Sequence, residues 1–187
     1  MFIQTENTPN PAVIKFLPGQ DVWPAGSLHY ASVTEASASP LAQRLFGISG
    51  VSGVFLGRDF VSVTKDDMTD WSMLKPMVLA ALMEHLATGQ PVVIESANKP
   101  IGDAGEAEDD EITTQIKQLL EERVRPAVAQ DGGDIVFNRF EDGVVYLEMR
   151  GACSGCPSST MTLKSGIENM LKHYLPEVLE VRPVESY

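Results

Sequence analysis

Two cysteines, Cys153 and Cys156, are the only thiols in this chain of 187 residues, and they lie in Gly151-Ala-Cys-Ser-Gly-Cys-Pro-Ser-Ser159. The segment follows a strand-like run and precedes a helix-like one. A helix N-terminus carries partial positive charge and unpaired N–H groups, so the expected thiol pKa lies below the usual ~8.5 and both cysteines should be reactive or ligating. Gly151 and Gly155 permit close backbone approach, and Pro157 suits a first helical turn. Small neighbours leave room for a bulky ligand. A buried packing pair would instead call for large apolar neighbours.

A Cys-x-x-Cys pair serves redox disulfides, zinc sites and iron-sulfur sites alike. A thioredoxin-like dithiol fits less well, because no aromatic stands beside Cys153 and the helix-hairpin-loop order before it gives no βαβ context. Zinc and cubane clusters want four ligands, and this chain has two thiols. His29, His85 and His173 form no Cys-x-x-Cys/His-x-x-His pattern and read as partly exposed or core-edge histidines. A metal site would therefore be half a site, completed by a two-fold related second chain. Asp131 and Asp134 in Asp-Gly-Gly-Asp could tune it, but that run more simply ends a helix and turns the chain, and neither is assigned as a ligand.

The elements that must position the pair follow from periodicity. After the acidic stretch, Ile112, Ile116, Leu119, Leu120, Val124 and Val128 mark an amphipathic helix kinked at Pro126. Ile135–Phe140 and Val144–Arg150 alternate around Asp142-Gly143 as a hairpin. Ser158 or Ser159 can cap a helix striped by Leu163, Ile167, Met170, Leu171 and Tyr174, and Val178–Arg182 supplies a last strand. The order is α-β-β-α-β.

Earlier in the chain, Phe2–Thr5 and Val13–Leu17 read as one hairpin and Val51–Leu56 with Phe60–Thr64 as another. Ser39 caps a short helix to Phe46, and a longer helix runs from Ser72 to about Thr88, tolerating Pro76 near its start. Between these halves, Glu95–Glu111 holds seven carboxylates and one lysine, which is −6 of the chain's −12. Such a stretch reads as a flexible, self-repelling linker. The expected fold class is α/β (α+β): two small mixed domains, 1–94 and 112–187, joined by the acidic linker 95–111. The negative charge, without a basic patch, excludes nucleic acid as a partner. Apolar runs fall short of the ~20 residues that span a bilayer, and Met1 leads straight into strand-like sequence, so a soluble chain without a targeting segment is expected.

The run Val124-Arg-Pro-Ala-Val-Ala-Gln-Asp-Gly-Gly-Asp-Ile135, the hairpin, Gly151–Ser159 and Thr162-Leu-Lys-Ser-Gly-Ile-Glu168 together resemble the C-terminal domain of NifU-type proteins across residues 112–183. Met1–Thr5, Thr8-Pro-Asn-Pro-Ala12, Lys15–Pro18, Ser39–Ala42 and Gly50–Phe55 resemble the N-terminal domain of the two-domain Nfu subgroup. The resemblance implies a [4Fe-4S] cluster held by Cys153 and Cys156 and shared between two chains. It implies a carrier rather than an enzyme, receiving clusters from upstream assembly proteins and delivering them to apo iron-sulfur proteins. A chain that starts directly in its first domain is expected in bacterial cytoplasm, or in the mitochondrial matrix if the source is eukaryotic. A thiol-disulfide oxidoreductase and a zinc-bridged dimer are the alternatives. The first domain has no cysteine, and partner recognition or simple support of the other domain are its two possible roles.

Overall fold

The structure is a computed structural model that describes residues 2–94, 111–154 and 157–184. The chain divides into two compact units between Pro100 and Ile101. The acidic linker expected at 95–111 lies almost wholly outside the described residues, as does Cys156. Both units mix helices with a sheet, so the expected fold class holds.

In the first unit, β1 (Gln4–Asn7), β2 (Val13–Leu17), β3 (Leu28–Tyr30), β4 (Val51–Leu56) and β5 (Val61–Lys65) form one sheet in the order β1-β2-β5-β4-β3. Every pairing is antiparallel. Both expected hairpins are present, but β1 starts two residues later than the sequence suggests. The reason is the turn that follows it. Thr8 Oγ1 donates to the Asn10 carbonyl at 2.9 Å and Asn10 Oδ1 accepts from Ala12 N at 3.0 Å, so the chain reverses tightly just after Asn7 and the strand runs up to that point.

Helix α1 (Pro40–Phe46) has the expected cap, with Ser39 Oγ accepting from Ala42 N at 3.1 Å. Helix α2 (Trp71–Ala87) is capped by Asp70, whose Oδ1 accepts from Ser72 N at 2.8 Å, one residue before the expected start. Pro76 sits on its exposed side, where the carbonyl the ring leaves unbonded can turn to water. Leu41, Leu45, Leu74, Val78 and Leu82 close over Ile14, Phe16, Val54, Leu56, Val61 and Val63 to make the core. His85 is fully buried there rather than at a core edge.

The second unit opens with α3 (Glu111–Leu119), a π-helical turn (Leu120–Val124) and α4 (Arg125–Gln130). The irregularity expected at Pro126 thus lies a turn earlier. Pro126 can give no N–H to the Glu122 carbonyl, and the wider turn is closed instead by Arg125 N bonding the Leu120 carbonyl. It also corrects the winding. Ile116, Leu120, Val124 and Val128 recur every four residues, a spacing that drifts by about 40° per repeat on an α-helix. With the π-turn setting that drift back, all four stay in the core.

Strands β6 (Gly133–Glu141) and β7 (Val144–Gly151) pair antiparallel around Asp142 and Gly143, both at positive φ. Helix α5 (Pro157–Tyr174) then returns the chain to β8 (Glu180–Val184), which pairs with β7 in parallel. The β7-α5-β8 path is a βαβ unit, contrary to the expectation that the cysteines lack one. Helix α5 starts at Pro157, so Ser158 and Ser159 fall inside it instead of capping it. Glu168 Oε2 accepts from Val181 N at 3.1 Å and ties the helix to β8. Among the described residues, no helix is long and apolar enough to cross a membrane.

Candidate metal centre

The cysteine loop leaves the C-terminal end of β7, the central strand of its sheet. Gly133 and Gly151 face each other at the first rung of the β6/β7 ladder, followed by Asp134 and Arg150. Backbone bonds fasten the loop to this end of the sheet. Ala152 N donates to the Gly132 carbonyl at 3.2 Å, and Ser154 N and Oγ both donate to the Gly151 carbonyl, at 3.1 and 2.8 Å. From α5, Thr160 Oγ1 reaches back to the Cys153 carbonyl at 3.1 Å.

Cys153 rests directly on Gly133. A Cβ at residue 133 would stand 2.5 Å from Cys153 Sγ, 2.7 Å from the Arg150 carbonyl oxygen and 2.9 Å from Cys153 N. Only glycine allows that approach. The cysteine is 6% exposed and packs among the core residues of the second unit.

Beside Gly133, the buried Asp134 carboxylate takes the fork of Arg125, with Nε to Oδ1 and Nη2 to Oδ2 both at 2.9 Å. Its Oδ1 also accepts from Ile135 N at 2.8 Å. Glu121 binds the remaining arm of Arg125 across the π-turn. Arg125 therefore ties the helical segment to the start of β6, which carries Gly133 and so the seat of Cys153. The guanidinium is held above its ordinary pKa, first by its hydrogen bond to Asp134.

The electrostatics of Cys153 overturn the expectation of a depressed thiol pKa. Burial, then the carboxylates of Asp131 and Asp134, push it up to about 12. At neutral pH such a thiol keeps its proton and is a poor nucleophile. Loss of solvent among the apolar side chains of the core is the first cause, and the negative charge of the two carboxylates adds to it. A cation would change this balance, because the same carboxylates that oppose a bare thiolate favour positive charge nearby.

The sequence-expected pair is thus placed in part: Cys153 is seated as described, while Cys156 lies outside the described residues. Among the described residues, no group of three His, Cys, Asp or Glu side chains could hold a metal ion. His29 and His85 belong to the first unit, and His173 stands at the far end of α5. Gly133 and Arg125 carry no local sign of a role at the site; Asp134, which the sequence allows to tune the site but more simply assigns to a turn, stands at the head of a buried strand nine residues after an arginine, and that spacing is the available signal.

Residues 3–89 match the family model described as "Scaffold protein Nfu/NifU N terminal", and residues 116–182 match that of the "NifU-like domain". Over 98% of its length the chain is 49% identical to the human mitochondrial protein named NFU1 iron-sulfur cluster scaffold homolog, and it covers 72% of that protein. The chain belongs to the Nfu/NifU family. A further Nfu/NifU relative, the mitochondrial NifU-like protein 4 of Arabidopsis thaliana, is 52% identical over 95% of this chain, which covers 64% of it. Among solved structures, a NifU-like protein from Saccharomyces cerevisiae is 31% identical, covering 50% of this chain and 84% of its own, with a TM-score of 0.46.

Proposed function

We propose that this Nfu/NifU chain carries a [4Fe-4S] cluster on Cys153 and Cys156, shared with the same pair of a second chain, and passes it to apo iron-sulfur proteins. The observation that carries the reading is the seat of Cys153: a thiol fixed against a glycine at a sheet end, four residues from the start of a helix, in a family whose relatives are named iron-sulfur cluster scaffolds. Four thiolates from two chains satisfy a cubane cluster. Residues 1–94 serve as a first domain that recognises donor or recipient proteins, 95–111 as a connector, and 112–187 as the cluster-binding domain.

The cluster is cargo, and its release is ligand exchange. Each incoming recipient thiol loses its proton as it binds iron, and each departing cysteine takes one up. No iron changes oxidation state and no substrate bond is broken, so the chain acts as a carrier rather than an enzyme. Clusters reach the chain from upstream assembly proteins, in the mitochondrial matrix of a eukaryotic source or the cytoplasm of a bacterial one.

Anaerobic reconstitution with iron and sulfide tests this. The expected product is coloured and holds four irons and four acid-labile sulfides per two chains. Cys153→Ser and Cys156→Ser should each abolish it. A colourless zinc-only dimer, iron-independent turnover of a disulfide substrate, or full iron content in both serine variants would overturn the proposal.

A further inference from the structure

Hydrogen bonds from Ala152 N, Ser154 N and Ser154 Oγ fasten the start of the cysteine loop to the residues bordering β6 and β7. Another bond comes from the far side of the loop. Thr160, in the first turn of α5, donates its hydroxyl to the Cys153 carbonyl at 3.1 Å. A helical threonine ordinarily turns its hydroxyl to a carbonyl three or four residues back. Thr160 instead reaches back seven positions, to the candidate ligand itself.

That bond completes a grip on one peptide group. The unit joining Cys153 to Ser154 has its carbonyl held by Thr160 and its N–H held by the Gly151 carbonyl, both at 3.1 Å. A peptide group is planar, so fixing both polar ends fixes the plane, and with it the rotation about the Cα–C bond of Cys153. The side chain leaves from the same Cα. Its direction is set on one side by the pinned peptide and on the other by Gly133, where an added Cβ would stand 2.5 Å from Sγ. The Gly132 and Gly151 contacts move with the sheet, whereas Thr160 ties the peptide to the helix that follows. Cys153 is buried, and a buried carbonyl stripped of its donor either stays unsatisfied or rotates toward water, carrying the Cα–Cβ bond with it.

We propose that Thr160 is a positioning residue for Cys153, acting through the cysteine's own carbonyl. Without iron it keeps the sulfur seated on Gly133. With a cluster bound it slows loss of the sulfur from iron by backbone rotation. The first role stands on the geometry alone, and the second rests on the proposed function. The hydroxyl and not the methyl group is what acts, so valine, which matches threonine in shape, removes the contact and serine restores it.

Cys153 is the only thiol in a full metal-free chain carrying Cys156→Ser. Its modification by N-ethylmaleimide, followed by mass spectrometry, should become about tenfold faster when Thr160→Val is added, the change in population that one hydrogen bond to a buried carbonyl commands. Thr160→Ser should react at the parent rate. Urea well below the unfolding midpoint separates local from global opening. The Thr160→Val rate should stay level there, whereas reaction through the unfolded chain would climb steeply. With both cysteines present and the cluster reconstituted, Thr160→Val should lose its visible absorption about tenfold faster than the parent when no recipient is added. Equal modification rates in the parent and Thr160→Val, equal acceleration by valine and serine, or acceleration only by the urea-dependent route would overturn the proposal. Equal cluster lifetimes would overturn its second role. A parent chain that takes up no iron would sink the cluster reading and leave the modification result standing.

Discussion

Gly133 has no room for even a methyl group, because its neighbours on that side are the Cys153 sulfur and two backbone atoms. The sulfur could swing aside, but the Arg150 carbonyl and the Cys153 amide belong to the strand end and its loop. Gly133→Ala should therefore cost about 1–3 kcal/mol of stability and lower iron content after reconstitution. Chemical denaturation and iron analysis of the same sample check both. The neighbouring ion pair makes a different prediction. Arg125→Leu takes the guanidinium from the buried Asp134 carboxylate, which keeps its bond from Ile135 N, and should destabilise the second unit by about 2–3 kcal/mol, less than the ~3–5 of a fully buried pair because the arginine side chain is 34% exposed. Adding Asp134→Asn should recover part of the loss, which a double-mutant cycle in urea would measure. In the first unit, His85 Nε2 lies 3.3 Å from the Pro91 carbonyl while buried Nδ1 has no partner among the described residues. Burial lowers its pKa below the ordinary 6.5, so the unfolded chain binds this proton more readily than the folded one. The stabilisation is complete above about pH 6.5 and is lost as pH falls from there through the folded value. His85→Gln should flatten that decline in thermal unfolding of the chain. At this scale the sequence showed the cysteine spacing but not its setting, because Gly133 reaches Cys153 only through strand pairing across twenty residues, and nothing in the local pattern records it.

The helical segment leading into β6 is one residue longer than an α-helix between the same contacts would be. The surplus residue sits in the π-turn and phases both Val128 into the core and Arg125 toward Asp134. Deleting the exposed Glu122 should leave Val128 and Arg125 in phase on a regular α-helix but set the Pro126 ring against the carbonyl four residues before it, so the unfolding midpoint falls, and Pro126→Ala in the same background should recover it. A urea titration of the two variants decides this. Most elements were legible from periodicity: both helices of the first unit, three hairpins and α5 appear close to where apolar spacing put them. Strand β3 was not, since three residues are too few to alternate visibly and it is held mainly by pairing with β4. The parallel partnership of β7 and β8 was not legible either, because a short apolar run carries no sign of which strand it will lie beside, and the βαβ unit was missed with it.

For the molecule as a whole, the excess of carboxylates opposes any assembly of like copies. Raising the salt concentration above about 0.1 M, where the Debye length is about 10 Å, should favour the cluster-bridged dimer formed on reconstitution, whereas a contact held by opposite charges would weaken. Sedimentation at two ionic strengths distinguishes these responses. The acidity and the two-part organisation could be read directly from composition, because they are sums over residues and need no knowledge of pairing. The position of β7 has a consequence for how quickly cargo can leave. Its last residue opens the cysteine loop and pairs with Gly133 of β6, while β8 pairs along Val144–Glu148, so freeing Cys153 by local melting would require parting the end of the β6/β7 ladder that β8 backs. Release should then wait on collision. The rate of cluster transfer, followed by circular dichroism in the visible, should rise in proportion to recipient concentration and show no recipient-independent ceiling set by a slow opening of the donor.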